Sequence, residues 1–222
     1  MNENTLDVTD VNFKVGRRTY LVLKRTFDIL IGLIGVIFTI PLAIIIKIAS
    51  ILTGDFNPII FKQPRIGING KTIYIYKFRS MIPNADKVLY ELMEKDPSIK
   101  EEYMLNRKLK NDPRITKVGR VIRHASIDEF PQFINVLFGD MSIVGPRPYL
   151  HREMEDMGEF YKKIITCKPG VTGYWQVNGR SNTDFKTRLK MDAYYCETKG
   201  IRLDLKLFFK TFAVVFKRDG AK

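Results

Sequence analysis

Cysteine and histidine are scarce: the 222-residue chain holds two of each, Cys167 and Cys196, His124 and His151, with no C-x-x-C pair. That excludes a disulfide framework, argues against a zinc site and leaves a reducing cytoplasmic environment as the default. No internal repeat and no low-complexity linker interrupts the sequence. Acidic side chains are outnumbered, 24 against 37 basic, for a net charge of +13. The natural partners therefore carry negative charge: nucleic acid, an anionic membrane surface or phosphorylated substrates. An apolar content of 45% excludes a disordered basic tail. The length suits one globular core and is too short for a polytopic transporter.

Charge is missing altogether from Ile29 to Ile46. As a helix these 18 positions would reach about 27 Å, enough for a membrane segment. A signal peptide would have a shorter apolar core, a cleavage motif and no polar leader, and a soluble core helix would show a polar face. Both flanks are basic, with Lys24 and Arg25 before the run and Lys47, Lys62 and Arg65 after it, and basic flanks resist translocation. Pro41 falls inside the run, where it removes a hydrogen bond and bends the axis. Charge and proline together favour a re-entrant helix that enters and leaves by one face, with a kinked span as the alternative. The expected organisation is a polar basic leader over 1–22, a re-entrant membrane helix over 23–52 kinked at Pro41, and a catalytic body over 53–222.

That body reads as a compact α/β or α+β cytoplasmic domain. Ile59 to Lys62 and Lys71 to Phe78 are β-rich, and Asn69-Gly70 between them is a hairpin turn signal. The glycines at 67 and 70 lack P-loop spacing. Residues 84–110 read as one solvated helix closed by the Asn111-Asp112-Pro113 turn. Residues 201–222 mix aliphatic and aromatic side chains with six basic ones, the pattern of an amphipathic helix in the headgroup region, with a core helix as the alternative. Trp175 and Tyr174 fit either an interface or the core.

Chemistry concentrates after Arg114. Four basic residues, Arg114, Lys117, Arg120 and Arg123, precede Ser126-Ile127-Asp128-Glu129-Phe130-Pro131. Ser126 and Glu129 have capping-box spacing, but Pro131 would then sit in the helix interior. A helix starting at Asp128 places Pro131 among the first positions, where no N–H is needed. Asp128 and Glu129 are then either helix-start carboxylates or catalytic ones. In Gly145-Pro146-Arg147-Pro148 an arginine is braced by prolines, which suits phosphate recognition. Lys77, Arg79, Arg123 and Arg147 together exceed what nearby acids can pair with, and an anionic ligand accounts for the excess.

These blocks, with Lys24 to Asp28, Phe61 to Gly67, Tyr76 to Met81, Gly139 to Pro148, Lys168 to Arg180 and Asp204 to Lys206, make the chain resemble the bacterial sugar transferase family, the monotopic phosphoglycosyl transferases. The resemblance implies that Asp128 attacks the sugar-linked phosphorus of a UDP-sugar, expels UMP and passes the phosphosugar to undecaprenyl phosphate. It implies that Glu129 holds Mg²⁺ and that Lys77, Arg79, Arg123 and Arg147 bind substrate phosphates, with Pro146, Pro148, Gln176 and Arg180 as further substrate-binding positions. It also implies a cytoplasmic-face location on the bacterial inner membrane, membrane lipids as partners, and a homodimer as an admissible assembly. The expected product is a lipid-linked hexose phosphate, galactose before glucose, that starts exopolysaccharide or capsule synthesis. A small form without the membrane bundle of longer relatives is expected. The chain departs from the family in having Ile40 before Pro41, with Thr39 one place earlier, and Asn57-Pro58 where Gly-Pro is commoner. A non-catalytic membrane adaptor is the alternative; a nucleic-acid binder leaves the apolar run unexplained.

Overall fold

The structure is a computed structural model that describes residues 16–106, 109–179 and 183–216. It is helix-rich, with two small two-stranded sheets and one long apolar helix at its start. Helix α1 (Arg17–Leu52) runs unbroken through Pro41. Asp28, Gly32, Gly35, Thr39, Ile46 and Ser50 are its buried positions beyond the first turns. Their spacing of three, four and seven residues marks one stripe. Leu30, Ile34, Ile37, Phe38, Ile40 and Ile45 on the other faces are exposed.

A hairpin follows, β1 (Ile60–Ile66) antiparallel to β2 (Thr72–Phe78), with Ile66 opposite Thr72 and Ile60 opposite Phe78. The turn signal at Asn69-Gly70 is borne out: both have positive φ, 57° and 76°, as a tight hairpin turn requires. Helices α2 (Ala85–Lys95) and α3 (Pro97–Asn106) come next. The single helix expected over 84–110 is thus two. Pro97 breaks the ladder, and Asp96 Oδ1 accepts from the Ser98 amide at 2.8 Å to start the second. Arg114 then folds back on Asp112, Nη2 to Oδ2 at 2.6 Å, and closes the turn expected there.

Helix α4 (Lys117–His124) is capped by Thr116, whose hydroxyl accepts from the Gly119 amide. A short helix α5 (Gln132–Phe138) leads into β3 (Ser142–Val144), and two single turns, α6 (Met154–Met157) and α7 (Tyr161–Ile164), precede β4 (Gly170–Thr172). Strands β3 and β4 are parallel, Ser142 opposite Gly170 and Val144 opposite Thr172. Their backbones approach closely at Gly145 and Gly170, where a Cβ on either would strike the other's main chain. Helices α8 (Tyr174–Asn178), α9 (Phe185–Thr198) and α10 (Ile201–Phe216) complete the chain.

The principal core gathers Ile75 of β2, Val136 of α5, Ile143 and Val144 of β3, Tyr195 of α9 and Leu207 of α10. Trp175 is buried at 9% exposure, so of its two readings the core one holds. In α10 Leu207 is buried and Phe208 packs on the core, while Leu205, Phe209 and Phe212 are exposed.

Helix α1 is fastened to this body at both ends and between. Near its start Lys24 pairs with Asp204 at 2.7 Å, and Arg25 donates to the last carbonyls of α5, Val136 and Leu137, at 2.6 and 2.7 Å. Asp28 accepts from the Ser142 hydroxyl and the Ile143 amide. Gly35 lies under the Phe133 ring, where any side chain would clash, and Gly32 packs tightly under Leu137. Beyond Pro41, Ile46 clusters with Phe78 and Ile122, and Lys47 donates to the carbonyl of Phe56. Pro41 sits on the exposed face and Thr39 on the body face. The Thr39 hydroxyl donates to the Gly35 carbonyl at 2.7 Å, the back-bonding that bends helices, and also reaches the Phe130 carbonyl at 3.3 Å. A hydroxyl one place earlier than the family's usual serine therefore still bonds at this point.

Candidate functional site

The two adjacent carboxylates sit between α4 and α5. Ser126 takes left-handed φ and ψ of 55° and 23° and makes no cap with its side chain. Ile127–Glu129 then form a single 3₁₀ turn, and Phe130 donates to the Ile127 carbonyl at 3.1 Å. The α-helix begins only at Gln132, with Pro131 as its N-cap. The expected helix start at Asp128 is therefore corrected to a 3₁₀ turn ahead of the helix. Ile127 and Phe130, which flank the dyad, pack against the cluster of Ile46, Phe78 and Ile122. The hydrophobic residues thus hold the turn down on α1 and β2 and leave Asp128 and Glu129 half-buried.

Lys77 of β2 donates to Glu129 Oε1 at 2.6 Å. Burial would raise the pKa of Glu129, but Lys77 and, farther off, Arg147 and Arg65 outweigh it and hold this carboxylate below its ordinary range. Asp128 goes the other way, to about 6, because burial and the adjacent Glu129 charge outweigh Lys77 and Arg123. Among the described residues Asp128 has no ion-pair partner.

Asp128 opens into a cleft of about 1070 Å³ lined by nine basic and four acidic side chains. Lys77, Arg79, Arg123 and Arg147 all line it. Their surplus of charge is smaller than the sequence suggests, since Lys77 pairs with Glu129, and Arg79 pairs with Asp55 at 2.8 Å while its Nε donates to the Pro58 carbonyl. Arg79 thereby ties the loop after α1 to the end of β2. Arg123 donates from Nε to the Ser80 hydroxyl. Pro146, Pro148 and Gln176 do not line the cleft. Pro146 and Pro148 act through their carbonyls, which accept from the Gly170 amide and Arg65, and Gln176 donates to the Val171 carbonyl. Arg180 lies outside the described residues.

The cleft also contains Arg65, Arg152 and Arg188, to which the sequence assigned no role. Arg65 is buried at 7% exposure, donating to the Pro148 carbonyl and to Gln63. Arg188 stacks over the Trp175 ring at 4.9 Å. Pro64-Arg65 in a β-rich run was a readable signal, whereas Arg188 on a mixed-charge helix offered none.

A family model described as bacterial sugar transferase matches residues 19–218. The chain belongs to the bacterial sugar transferase family. Among curated relatives of this chain, the undecaprenyl-phosphate galactose phosphotransferase of Salmonella typhimurium is 44% identical over 93% of this chain and 43% of its own length. The UDP-glucose:undecaprenyl-phosphate glucose-1-phosphate transferase of Escherichia coli K12 is 39% identical, over 88% of this chain and 40% of its own. The exopolysaccharide production protein ExoY of Sinorhizobium fredii is 40% identical over 89% of this chain and 87% of its own length. The chain thus spans less than half of the first two and most of the third.

Proposed function

We propose that the chain transfers a hexose 1-phosphate from a UDP-sugar to undecaprenyl phosphate at the cytoplasmic face of the bacterial inner membrane and so starts exopolysaccharide or capsule synthesis. One observation carries this reading: a carboxylate, Asp128, without an ion-pair partner among the described residues and opening into a cleft of excess positive charge. A carboxylate with a basic partner of its own would be a poor nucleophile, and Lys77 goes to its neighbour instead.

The chemistry has two displacements. An Asp128 oxygen forms a bond to the sugar-linked phosphorus while the bond from that phosphorus to UMP breaks, and UMP leaves with the electron pair. The lipid phosphate oxygen then attacks the same phosphorus and the bond to Asp128 breaks, restoring the carboxylate. Splitting the transfer spares two bulky anions from meeting at once. Lys77, Arg123 and Arg147 lie where they would offset charge on the phosphates.

Mg²⁺ is normally held by one or two carboxylates with substrate phosphates supplying the rest. Among the described residues no group of three or more metal-ligating side chains exists, but the dyad meets the smaller requirement. Glu129, ionised and half-exposed, would hold the ion, which would supply charge neutralisation on the diphosphate.

Re-entrance of α1 rests on its attachments. Lys24 before Pro41 and Ile46 after it both pack on one body. A straight span would carry one of these contacts across the bilayer. Galactose and glucose, the sugars in the relatives' names, are the candidates.

The test is UMP release in detergent from a panel of UDP-sugars with undecaprenyl phosphate and Mg²⁺. Asp128→Asn should abolish release and leave membrane association intact. Retained turnover would remove Asp128 from the mechanism, and a parent inactive on every donor would favour a non-catalytic adaptor.

A further inference from the structure

Below the cleft lies a carboxylate that the two displacements do not use. Asp192 of α9 is 0% exposed, and among the described residues it forms no ion pair. Its Oδ2 accepts twice, from the Arg147 amide at 3.0 Å and from the Tyr149 hydroxyl at 2.7 Å, while its Oδ1 has no partner among the described residues. A buried carboxylate is costly to keep unless what it holds matters.

What it holds is the backbone from Gly145 to Tyr149. The Gly145 amide donates to the Thr172 carbonyl, and the Pro146 carbonyl accepts from Gly170. The Pro148 carbonyl accepts from Arg65, and the Tyr149 carbonyl from the Ile66 amide. Two prolines fix φ on either side of Arg147, and the residue before a proline is itself restricted. The Arg147 amide is the remaining freedom, and Asp192 takes it. From that backbone the Arg147 guanidinium enters the cleft, 5.9 Å over the Trp175 ring, and helps to hold the Glu129 carboxyl below its ordinary pKa.

We infer that Asp192 is a positioning residue: through the Arg147 amide and the Tyr149 hydroxyl it sets where the Arg147 guanidinium meets the phosphates of the donor. The inference rests on the sugar-phosphate transferase reading above. It carries a pH signature. Burial pushes the Asp192 carboxyl up to about 7, against the pull of Tyr149 and Arg147. The other titratable groups that face it are Cys167, ahead of β4, and Cys196 on its own helix. A proton on Oδ2 would oppose two donors, and one on Oδ1 would find no acceptor. Acidification below 7 therefore loosens the grip on Arg147.

The test is equilibrium binding of UDP-galactose to the full chain in detergent, in an Asp128→Asn background that prevents turnover and removes the dyad's own titration. Asp192→Asn should weaken binding about tenfold at pH 8, and less than about twofold once Arg147→Ala is present, because contacting residues couple. Binding without the Asp192 change should weaken several-fold from pH 8 to pH 6, roughly the effect of losing one charge-assisted hydrogen bond, and Asp192→Asn should flatten that dependence. An equal loss with and without Arg147, or an unaltered pH profile, would overturn the inference. If Asp192→Asn shows no cooperative melt, Tyr149→Phe and its double with Arg147→Ala decide by the same comparison. A chain that binds UDP-galactose with this coupling while the parent releases no UMP would sink the transferase reading and keep the positioning role. A chain that binds neither UDP-galactose nor UDP-glucose, assayed in parallel, would sink both.

Discussion

Asp128 and Glu129 are neighbours with opposite tendencies, one acid raised to about 6 and the other held low, and Lys77 is the side chain that separates them. Lys77→Met should therefore cut kcat/KM for the donor by about a hundredfold, since a hydrogen bond to a charged group in a reaction site is worth about 2–3 kcal/mol. It should change the melting free energy by less than about 1 kcal/mol, because Glu129's side chain is 38% exposed and such pairs are screened. UMP-release kinetics and thermal melts would check the two halves separately. Asp192 predicts a stability effect of known sign. Its pKa in the folded state is about 7 against an ordinary 3.8, so the folded chain keeps a proton that the unfolded chain gives up. The stability this contributes is complete below about pH 4 and is lost as pH rises through 7. Between pH 5 and pH 7 the parent should lose stability relative to Asp192→Asn, by up to about 1.4 kcal/mol per pH unit, in parallel urea titrations. The dyad was legible in the sequence, because adjacent acids before a proline and after a basic run are a local pattern. Asp192 was not, since a lone acid in a helix carries no sign that it will be buried against residues 45 positions away.

At the scale of elements, what was legible was what local chemistry dictates. Asn69-Gly70 announced its hairpin and the uncharged run its helix, as the positive φ values and α1 bear out. The break at Asp96-Pro97 is equally local, a proline that ends one helix and opens the next within a run of mixed charge. The 3₁₀ turn of the dyad is different. Its shape comes from Ile127 and Phe130 packing on Ile46 and Phe78, contacts that no window of sequence contains. The pairing of β3 with β4 is also non-local, and it leaves a vulnerability. Each strand has three residues, and their main chains touch at Gly145 and Gly170. Gly170→Ala should cost about 3 kcal/mol, the upper end for overpacking, because the obstacle is backbone and cannot swing away. A lower urea midpoint with an unchanged slope would be the expected result.

For the whole molecule the decisive relation is between α1 and everything else. Cysteines introduced at Arg18 and Lys71, with both native cysteines buried, should be modified by an impermeant reagent only from the cytoplasmic side. Modification of the first from outside would require a helix that spans. The contacts at Lys24, Gly35 and Ile46 also fix the position of the dyad relative to α1, through α5 and β2.

Gly32 and Gly35 give the apolar helix a second identity: it is a wall of the hydrophobic interior as well as an exposed apolar surface. Trimming the chain back to residue 53 to obtain a water-soluble fragment would uncover Phe133 and Leu137 and strand the Ser142 hydroxyl and Ile143 amide without Asp28. Such a fragment should aggregate rather than dissolve, and so should a chimera carrying an unrelated hydrophobic segment in place of the native one.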